Sequence, residues 1–372
     1  MFKDFAHTTI MLNSKKAIDC VFVLSPGKYV GGAEHYVQNL AHELYVAHNT
    51  SVIIAVSHNR EFYLRCKSTE IPVLYLGDTL KEASLAFSRV LNDLEIKTVI
   101  SNGYHSSYLL FLSRCRNLFR KGQCRFIDIK HGWITTNFSE RLKTFLDKLI
   151  VGSYNLVVLV EPSMRKRLWW VGEKKLRFIP SGVEIKRRVM GQRRRNLPFK
   201  ILLIGRLSEE KRFGLVLKAL AGLKEKEWRL VIVGDGLEED RLKRIVFEEK
   251  LNDHVHFAGY QHDVKLFYRS TNLLVISSVS EGCPLVALEA MAHGVLVLST
   301  DVGYMPTLLG GQRGFLVDVN IAPGNLSLKV KKIILLDEGT TKQMRQGAWD
   351  YVNRHHSLSK NAEIFKSLIF GL

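Results

Sequence analysis

Cysteine and long apolar runs are both scarce in this chain of 372 residues. Its five cysteines are odd in number and form no Cys-x-x-Cys pair, which argues against a disulfide framework or a zinc site. No apolar run reaches the roughly 18–20 residues that cross a membrane. The first residues also lack the apolar block of a secretory signal. These absences predict a cytoplasmic protein with reduced thiols.

Acidic residues are few, with 36 Asp and Glu against 54 Lys and Arg and a net charge of +18. The excess is concentrated in residues 101–200, which hold 22 basic and 6 acidic residues. Such a basic zone attracts anionic lipid head groups or nucleic acid, although it can also be a solvated face without a partner. Because neither a zinc finger nor an RNA-binding signature is present, a nucleic-acid-binding protein is a remote alternative.

Short apolar segments alternate with helix-like segments in both halves of the chain, a pattern typical of parallel sheets covered on both faces. In the first half, the predicted strands are 19–25, 51–57, 98–103, 125–132 and 156–162. In the second half they are 199–205, 228–236, 255–260, 272–278, 294–300 and 314–319, with helices that include 209–224 and 237–250. We therefore predict an α/β protein with two doubly wound, Rossmann-like domains.

The stretch 184–198 is basic and has no periodicity, so it is predicted to be a linker. It separates an N-terminal Rossmann-like domain, 1–183, from a C-terminal one, 199–355. Residues 356–372 are predicted to form a helix that crosses back to the first domain. Ligands of open α/β sheets bind outside the carboxyl ends of the strands, so we expect the site at those edges.

A strand-to-helix turn in the second half places Arg206 and Lys211 after the predicted strand 199–205. Phosphate often binds at such a turn, where a guanidinium can donate two parallel hydrogen bonds to a diphosphate and a lysine adds a point charge. Cations at a helix start oppose the helix dipole and lack a local structural reason there. The alternative is that both are ordinary surface residues.

The stretch SEGCPLVALEAMAHG, residues 280–294, predicts a loop followed by a buried helix. Proline is favoured in the first turn of a helix, which suits Pro284. Backbone amides near the positive end of this helix can face an anion. The residues that would offer them are Gly282, Cys283 and Leu285.

Two carboxylates belong to the same stretch. Glu281 precedes the helix and Glu289 lies inside its apolar run, where an unpaired carboxylate costs several kcal/mol, roughly, or holds a proton. We expect both acids to lack a partner within the protein and to accept hydrogen bonds from the hydroxyls of a hexose and a ribose. The alternative is a dipole-favoured Glu281 and a Glu289 paired with an arginine.

Five segments together resemble the retaining glycosyltransferases of family 4, which have the GT-B architecture and a Glu-x7-Glu signature. The segments are IPSGVE (179–184), GRLSEEK (205–211), VGDGLEEDRLKRI (233–245), FAGY (257–260) and SEGCPLVALEAMAHGVLVLSTDVGYMPTLL (280–309). The resemblance is dense from about 150 to 320 and thinner before that. It implies two domains that face each other across a cleft and bind a nucleotide-diphosphate sugar.

The resemblance also implies donor-binding roles for six residues of the second half: Arg206 and Lys211 at the diphosphate, Glu281 at the transferred sugar, Glu289 at the ribose, and Gly259 and Tyr260 beside the base. The family often has Lys and Gly together after the turn that reads GRL here, residues 205–207. Here the order is Lys211, Arg212, Phe213 and Gly214. It is therefore open whether Lys211 or Arg212 faces the diphosphate.

In the first half, Gly31 and Gly32 stand at a predicted helix start, where exposed amides can bind a phosphate or an acceptor group. With Glu34 they match the family's GG-x-E element. His131 matches the family's His-Gly position facing the donor sugar, where it could hydrogen-bond the sugar or orient the acceptor. A structural histidine is the alternative.

The resemblance implies transfer of a hexose-type sugar, with UDP-sugar as the expected donor, to a hydroxyl of a lipid-linked or lipopolysaccharide glycan during envelope polysaccharide synthesis. It implies attack on the face that the leaving group occupies, with the leaving phosphate oxygen accepting the proton. Because the chain has no Asp-x-Asp, we expect no metal and no other cofactor. A GT-B sugar-nucleotide epimerase or an inverting transferase is the alternative, and the missing G-x-G-x-x-G after the first strand disfavours a redox Rossmann enzyme.

Trp169 and Trp170 follow Arg165, Lys166 and Arg167, a combination that suits a membrane interface. We therefore expect peripheral association with the inner face of the cytoplasmic membrane. The expected partners are a nucleotide-sugar donor, a glycolipid or oligosaccharide acceptor and an anionic membrane surface, and not nucleic acid. The alternative is that the tryptophans belong to the core and the basic run is solvated.

Overall fold

The computed structural model describes residues 17–26, 30–116, 124–132, 138–185, 198–223 and 227–371. The chain divides into two compact units. Unit 1 comprises Met1–Ser181 and Leu358–Leu372, and unit 2 comprises Gly182–Ser357. Most of the predicted linker 184–198 lies outside the described residues.

Within its described residues, unit 1 contains a seven-stranded parallel sheet in the order β3-β2-β1-β4-β5-β6-β7. The strands are β1 Ile18–Leu24, β2 Val52–Val56, β3 Val73–Tyr75, β4 Ile96–Asn102, β5 Arg125–Lys130, β6 Leu156–Leu159 and β7 Leu176–Phe178. The helices between them are α1 Gly32–Val46, α2 Arg60–Lys67, α3 Leu80–Asp93, α4 Gly103–Arg116 and α5 Phe138–Val151.

The central strands of this sheet are apolar and almost wholly buried, as parallel strands are when helices cover both faces. The strand order reverses between β1 and β4. The carboxyl ends of these two strands, Leu24 and Asn102, therefore form the topological switch point of unit 1, where open α/β sheets bind ligands.

In the described part of unit 2, six parallel strands follow the order β10-β9-β8-β11-β12-β13. The strands are β8 Phe199–Ile204, β9 Trp228–Val233, β10 Val255–Gly259, β11 Leu273–Ile276, β12 Leu296–Thr300 and β13 Phe315–Val317. The helices are α6 Phe213–Ala221, α7 Glu239–Glu248, α8 Lys265–Ser270, α9 Leu285–Ala292, α10 Met305–Leu309, α11 Pro323–Ile334 and α12 Glu338–His355.

Side chains of β8, β9, α6 and α11 form much of the core of unit 2, with Trp228 among its largest buried members. The switch point of this sheet lies between β8 and β11. The loops that leave the ends of these neighbouring strands therefore start side by side at the carboxyl edge.

A last helix, α13 Leu358–Phe370, follows unit 2 in the chain but packs on α1, β1 and β4 of unit 1. Asn361 Nδ2 donates to the Pro180 carbonyl at 2.7 Å and to the Tyr36 hydroxyl at 3.0 Å. Near the other end of the helix, Thr98 Oγ1 donates to the Ile369 carbonyl at 3.1 Å. Unit 1 is thus completed by a segment from beyond unit 2.

The predicted α/β class is confirmed, with differences in detail. Strands β3 and β7 are not among the predicted ones, because three residues are too few to show an apolar run. The predicted continuous helix 209–224 is wrong. A 3-10 turn, Glu209–Lys211, is separated from α6 by Arg212, whose φ of 49° is left-handed. Among the described residues, we find no helix long and apolar enough to cross a membrane.

Candidate active site

In unit 2, the loops after β8 and β11 bring Lys211 and Glu281 into contact. Lys211 Nζ lies 2.5 Å from Glu281 Oε1, and Ser278 Oγ donates to the same oxygen at 2.6 Å. Because β8 and β11 are neighbours at the switch point, residues far apart in sequence meet at this edge. The expectation that Glu281 lacks an internal partner is therefore wrong.

Arg212, the neighbour of Lys211, hydrogen-bonds the end of β11 rather than Glu281. Its Nε donates to the Ser277 carbonyl at 2.8 Å, and Ser277 Oγ donates in turn to the Lys211 carbonyl at 2.6 Å. Burial lowers the pKa of the Arg212 guanidinium. Of the two adjacent cations that the sequence left open, Lys211 is the one whose charged group contacts the site carboxylate.

Arg206 lies in the same loop, directly after Gly205, and its side chain is exposed. Close backbone packing supports the loop, since a Cβ on Gly234 would lie 2.0 Å from the Gly205 carbonyl oxygen. Half-buried Glu210 adds a further carboxylate here. Burial raises its pKa, and the Lys211 ammonium lowers it. Glu210 is not among the predicted site residues, and its one sequence signal is the second glutamate of SEEK.

The stretch 282–285 leads into helix α9, in agreement with the sequence. Pro284 occupies the N-cap position and Leu285 is the first helical residue. Gly282 and Cys283 precede them, and Cys283 is buried. The amides of this stretch stand at the positive end of the helix dipole. That they bind an anion stays a prediction.

The loop after β12 supports the loop that carries Glu281. The Tyr304 N–H donates to the Gly282 carbonyl at 2.9 Å. Gly303 packs so closely that a Cβ on it would lie 1.9 Å from the Glu281 carbonyl oxygen, and its φ of +54° already favours glycine. The backbone of Glu281 is therefore fixed by Gly303 and Tyr304 of the loop after β12.

Glu289 also has a partner within the protein. The Tyr268 hydroxyl donates to its Oε2 at 2.8 Å, and the Tyr268 ring stacks on His293 with centroids 5.3 Å apart. Burial raises the pKa of Glu289, and the hydrogen bond from Tyr268 lowers it. The expectation that Glu289 is unpaired is wrong. A tyrosine 21 residues away in the chain gives no local signal that would have revealed it.

Gly259 and Tyr260 lie at the same edge, at the end of β10. Gly259 has a φ of +65°, and its carbonyl accepts the Gly234 N–H at 2.8 Å. Tyr260 is exposed and meets the His262 ring edge-on at 5.0 Å. Their proximity to a nucleotide base stays a prediction.

In unit 1, Gly31 and Gly32 stand at the start of α1, after the end of β1. Gly31 is the N-cap residue and Gly32 the first helical residue, and both are exposed. The Gly31 N–H donates to Glu34 Oε2 at 2.9 Å, so Glu34 caps the helix. Burial raises the pKa of this carboxyl. Gly31 and Gly32 therefore lie at the helix start where the sequence predicts them, and Glu34 caps that helix.

His131 follows β5 and lies beside the switch point of unit 1. Its Nε2 is 2.7 Å from Asn102 Oδ1, and the Tyr36 ring meets it edge-on with centroids 5.9 Å apart. An amide oxygen only accepts, so Nε2 carries the proton. Burial, followed by the nearby Lys130 charge, lowers the pKa of His131 to about 4. The imidazole is therefore neutral at physiological pH. Asn102 was not predicted.

A buried ionic cluster lies behind His131. Lys130 Nζ is 2.8 Å from Asp128 Oδ2 and 2.6 Å from Asp147 Oδ1, and it donates to Ser107 Oγ at 3.0 Å. Burial lowers the pKa of Lys130, but the two carboxylates outweigh this and raise it. Burial raises the pKa of Asp128 to about 6. Because Asp147 belongs to α5, the cluster ties that helix to the end of β5.

Two family models match adjoining parts of the chain. The model described as Glycosyltransferase Family 4 matches residues 30–187, and the model described as Glycosyl transferases group 1 matches residues 190–349. The boundary between the matches falls within the predicted linker. Together they span every predicted site residue and all the strands of both sheets except β1.

Curated relatives are similar to parts or most of the chain. An uncharacterized glycosyltransferase of Haemophilus influenzae is 34% identical over 140 residues, 37% of this chain and 38% of the relative. The chain spans about two fifths of the length of such relatives. A Campylobacter jejuni N-acetylgalactosamine-N,N'-diacetylbacillosaminyl-diphospho-undecaprenol 4-alpha-N-acetylgalactosaminyltransferase is 23% identical, over 88% of this chain and 93% of that protein.

Solved structures share the fold. The crystal structure of Anabaena HepE in complex with UDP and glucose superposes with a TM-score of 0.81, covering 95% of this chain and all of that chain, at 16% identity. A sucrose-phosphate synthase from Thermosynechococcus elongatus gives a TM-score of 0.79 over 95% of this chain. At these identities the likeness establishes the architecture.

Proposed function

Since the chain belongs to the family 4-type glycosyltransferases of GT-B architecture, we propose that it moves a hexose-type sugar from UDP to a glycan hydroxyl with retention of configuration. One observation carries the proposal. Lys211 and Glu281 meet at the carboxyl edge of the β8–β11 switch point, beside exposed Arg206 and the start of α9. Cations and helix amides at this edge suit a diphosphate, and carboxylates suit sugar hydroxyls.

The bond that breaks joins the anomeric carbon to the terminal phosphate oxygen of the donor. Negative charge grows on the diphosphate as the sugar becomes oxocarbenium-like. Arg206, Lys211 and the amides of 282–285 supply preorganised donors for that charge, so the proposed reaction needs no metal.

The acceptor oxygen attacks the face that the diphosphate leaves, and its proton passes to the leaving phosphate oxygen. Glu281 then holds the transferred sugar and Glu289 the ribose. His131, neutral and held by Asn102, is suited to hydrogen-bond the sugar or the acceptor.

The proposed acceptor is a lipid-linked or lipopolysaccharide glycan. The Campylobacter jejuni relative is named for a diphospho-undecaprenol substrate, and another relative is named for lipopolysaccharide core biosynthesis. The basic excess of residues 101–200 suits an anionic membrane surface, where such acceptors are held. We therefore place the enzyme at the inner face of the cytoplasmic membrane.

A thermal-shift screen with UDP-, GDP- and ADP-sugars tests the donor. UDP-sugars should raise the melting temperature of the wild type, with and without a chelator, and Arg206→Ala should reduce that shift. NMR of the product then reads the anomeric configuration. An inverted product, or sugar conversion that needs no acceptor, would replace this proposal by the inverting transferase or the epimerase.

A further inference from the structure

Helix α5 carries an apolar face that the rest of the described structure leaves exposed. Leu142, Phe145, Leu146 and Leu149 are between 42% and 60% exposed, and their spacing places them on one side of the helix. The opposite side is buried and includes Asp147, which contacts Lys130. The helix is therefore anchored to unit 1 through one face and presents large apolar side chains with the other.

A tryptophan pair lies in the segment of unit 1 that follows β6. Trp169 is 82% exposed and Trp170 43% exposed, which excludes the alternative that both are core residues. The segment that carries them returns to the end of α5, where Lys175 Nζ donates to the Gly152 carbonyl at 3.0 Å. The apolar face of α5 and the tryptophan pair therefore belong to neighbouring parts of unit 1. We call them together the apolar face of unit 1.

Positive charges border this face. Burial lowers the pKa of Lys148 on α5, and the nearby Arg167 guanidinium lowers it further. Arg165 and Lys166 stand in the same 3-10 helix as Arg167, which ends at Leu168 just before the tryptophans, and Arg165 pairs with Glu173. Basic residues at the border of an apolar face favour an anionic partner.

We propose that the apolar face of unit 1 docks on an anionic phospholipid membrane, with Leu142, Phe145, Leu146, Leu149 and the two tryptophans at the level of the head groups and upper acyl chains. The combination of an amphipathic helix, indoles and flanking basic residues is the one that binds such interfaces. The inference rests on the proposed function, because a lipid-linked acceptor lies at that surface.

A second copy of the chain is a poorer occupant of this face. Residues 101–200 contain α5 and the tryptophan pair and hold 22 basic against 6 acidic residues. Self-association through this region would bring two strongly positive surfaces together, whereas anionic lipids complement both its charge and its apolar side chains.

The test is co-sedimentation of the full chain with phosphatidylcholine vesicles that do or do not contain about one third phosphatidylglycerol. Wild-type protein should bind the anionic vesicles and lose much of that binding at high salt. The double variant Phe145→Gln, Leu149→Gln should bind at least about tenfold more weakly. Arg167→Gln should weaken binding about fivefold. The tryptophan pair is checked with Trp169→Ala, which should also lower binding.

The matched control is Phe247→Gln, because Phe247 is 74% exposed on α7 of unit 2 and lies outside the apolar face of unit 1. It should bind vesicles as the wild type does. All of these positions are exposed, so a melting temperature near that of the wild type verifies folding.

Wild-type protein that fails to bind anionic vesicles at low salt overturns the proposal, and so does unchanged binding by the Phe145→Gln, Leu149→Gln variant. A wild-type dimer in sedimentation velocity that this variant converts to monomer, with vesicle binding unchanged, assigns the face to a second copy. Vesicle binding without sugar transfer would support the docking surface and contradict the proposed function. Failure of the docking proposal is therefore distinguishable from failure of the proposed function.

Discussion

Each unit contains a lysine that contacts carboxylate groups, and the two lysines differ in how far they are buried. In unit 1, Lys130 contacts Asp128 and Asp147 with all three side chains buried. In unit 2, Lys211 contacts Glu281 at the sheet edge, where the lysine side chain is 22% exposed. The buried Lys130 ammonium is enclosed by its two carboxylates and Ser107, whereas the proposed function requires the ammonium of Lys211 to exchange its carboxylate for a diphosphate. The same chemical pair is therefore buried in one unit and, in the proposed function, exchangeable in the other.

The largest effect is expected from Lys130→Met. It leaves two carboxylates buried without their cation, which should lower the free energy of unfolding of unit 1 by about 3–5 kcal/mol. Hydrogen exchange during urea unfolding would measure it. Lys97→Met, which removes an exposed contact with Asp19, is the control and should lower stability by less than about 1 kcal/mol. Equal effects at the two lysines would contradict the structural role.

Lys211→Ala should leave the free energy of unfolding nearly unchanged. It should lower kcat at least about tenfold, because the charge on the diphosphate loses a hydrogen-bond donor in the transition state. Arg206→Ala should act likewise. Lys218→Ala, at an exposed position of α6, is the control and should transfer sugar at the wild-type rate. Steady-state kinetics with folding checked by circular dichroism decides this, and normal turnover in both site variants would reject the diphosphate assignment.

Gly303→Ala should lower kcat about fivefold and stability by about 1–3 kcal/mol, because the added Cβ would collide with the Glu281 carbonyl and move that loop. Gly103→Ala is the matched control, because Gly103 also has a positive φ, no atom lies within 4 Å of its added Cβ, and it is not among the predicted site residues. It should show the smaller backbone effect of about 1–2 kcal/mol. Indistinguishable kinetics of the two variants would mean that Gly303 does not position Glu281.

The smallest effect is expected from Tyr268→Phe, which should raise KM for the donor about threefold by removing one hydrogen bond to Glu289. That bond lowers the pKa of the carboxyl, so its loss should raise the pKa further. Donor binding would then weaken at a higher pH than in the wild type as the solution is acidified. A pH series of KM measures the shift. Tyr154→Phe, which loses a buried phenol hydrogen bond in unit 1, should leave the profile unchanged.

Sequence pattern was sufficient for most of the fold because buried parallel strands are continuous apolar runs. It was insufficient where structure depends on few residues or on distant ones. Arg212 interrupts the predicted helix 209–224 through a left-handed backbone conformation that its residue type does not signal. The three-residue strands β3 and β7 leave no periodicity to recognise.

The candidate site shows the same limit. Adjacent residues such as Pro284 and Leu285 could be placed at a helix start from their order alone. The partners of the two glutamates could not, since Lys211 is 70 residues from Glu281 and meets it through the strand order of the sheet. The reasoning that a carboxylate in an apolar helix needs a partner was right for Glu289, but the sequence did not indicate that Tyr268 supplies one within the protein. Its role toward a ribose stays a prediction.

The return of α13 to unit 1 has a consequence for how the protein is made. The first 181 residues emerge from the ribosome without the helix that covers α1, β1 and β4, and that helix follows the whole of unit 2. Until then the Tyr36 hydroxyl and the Pro180 carbonyl lack Asn361. The part of unit 1 that precedes unit 2 therefore keeps an apolar surface uncovered until α13 has been translated.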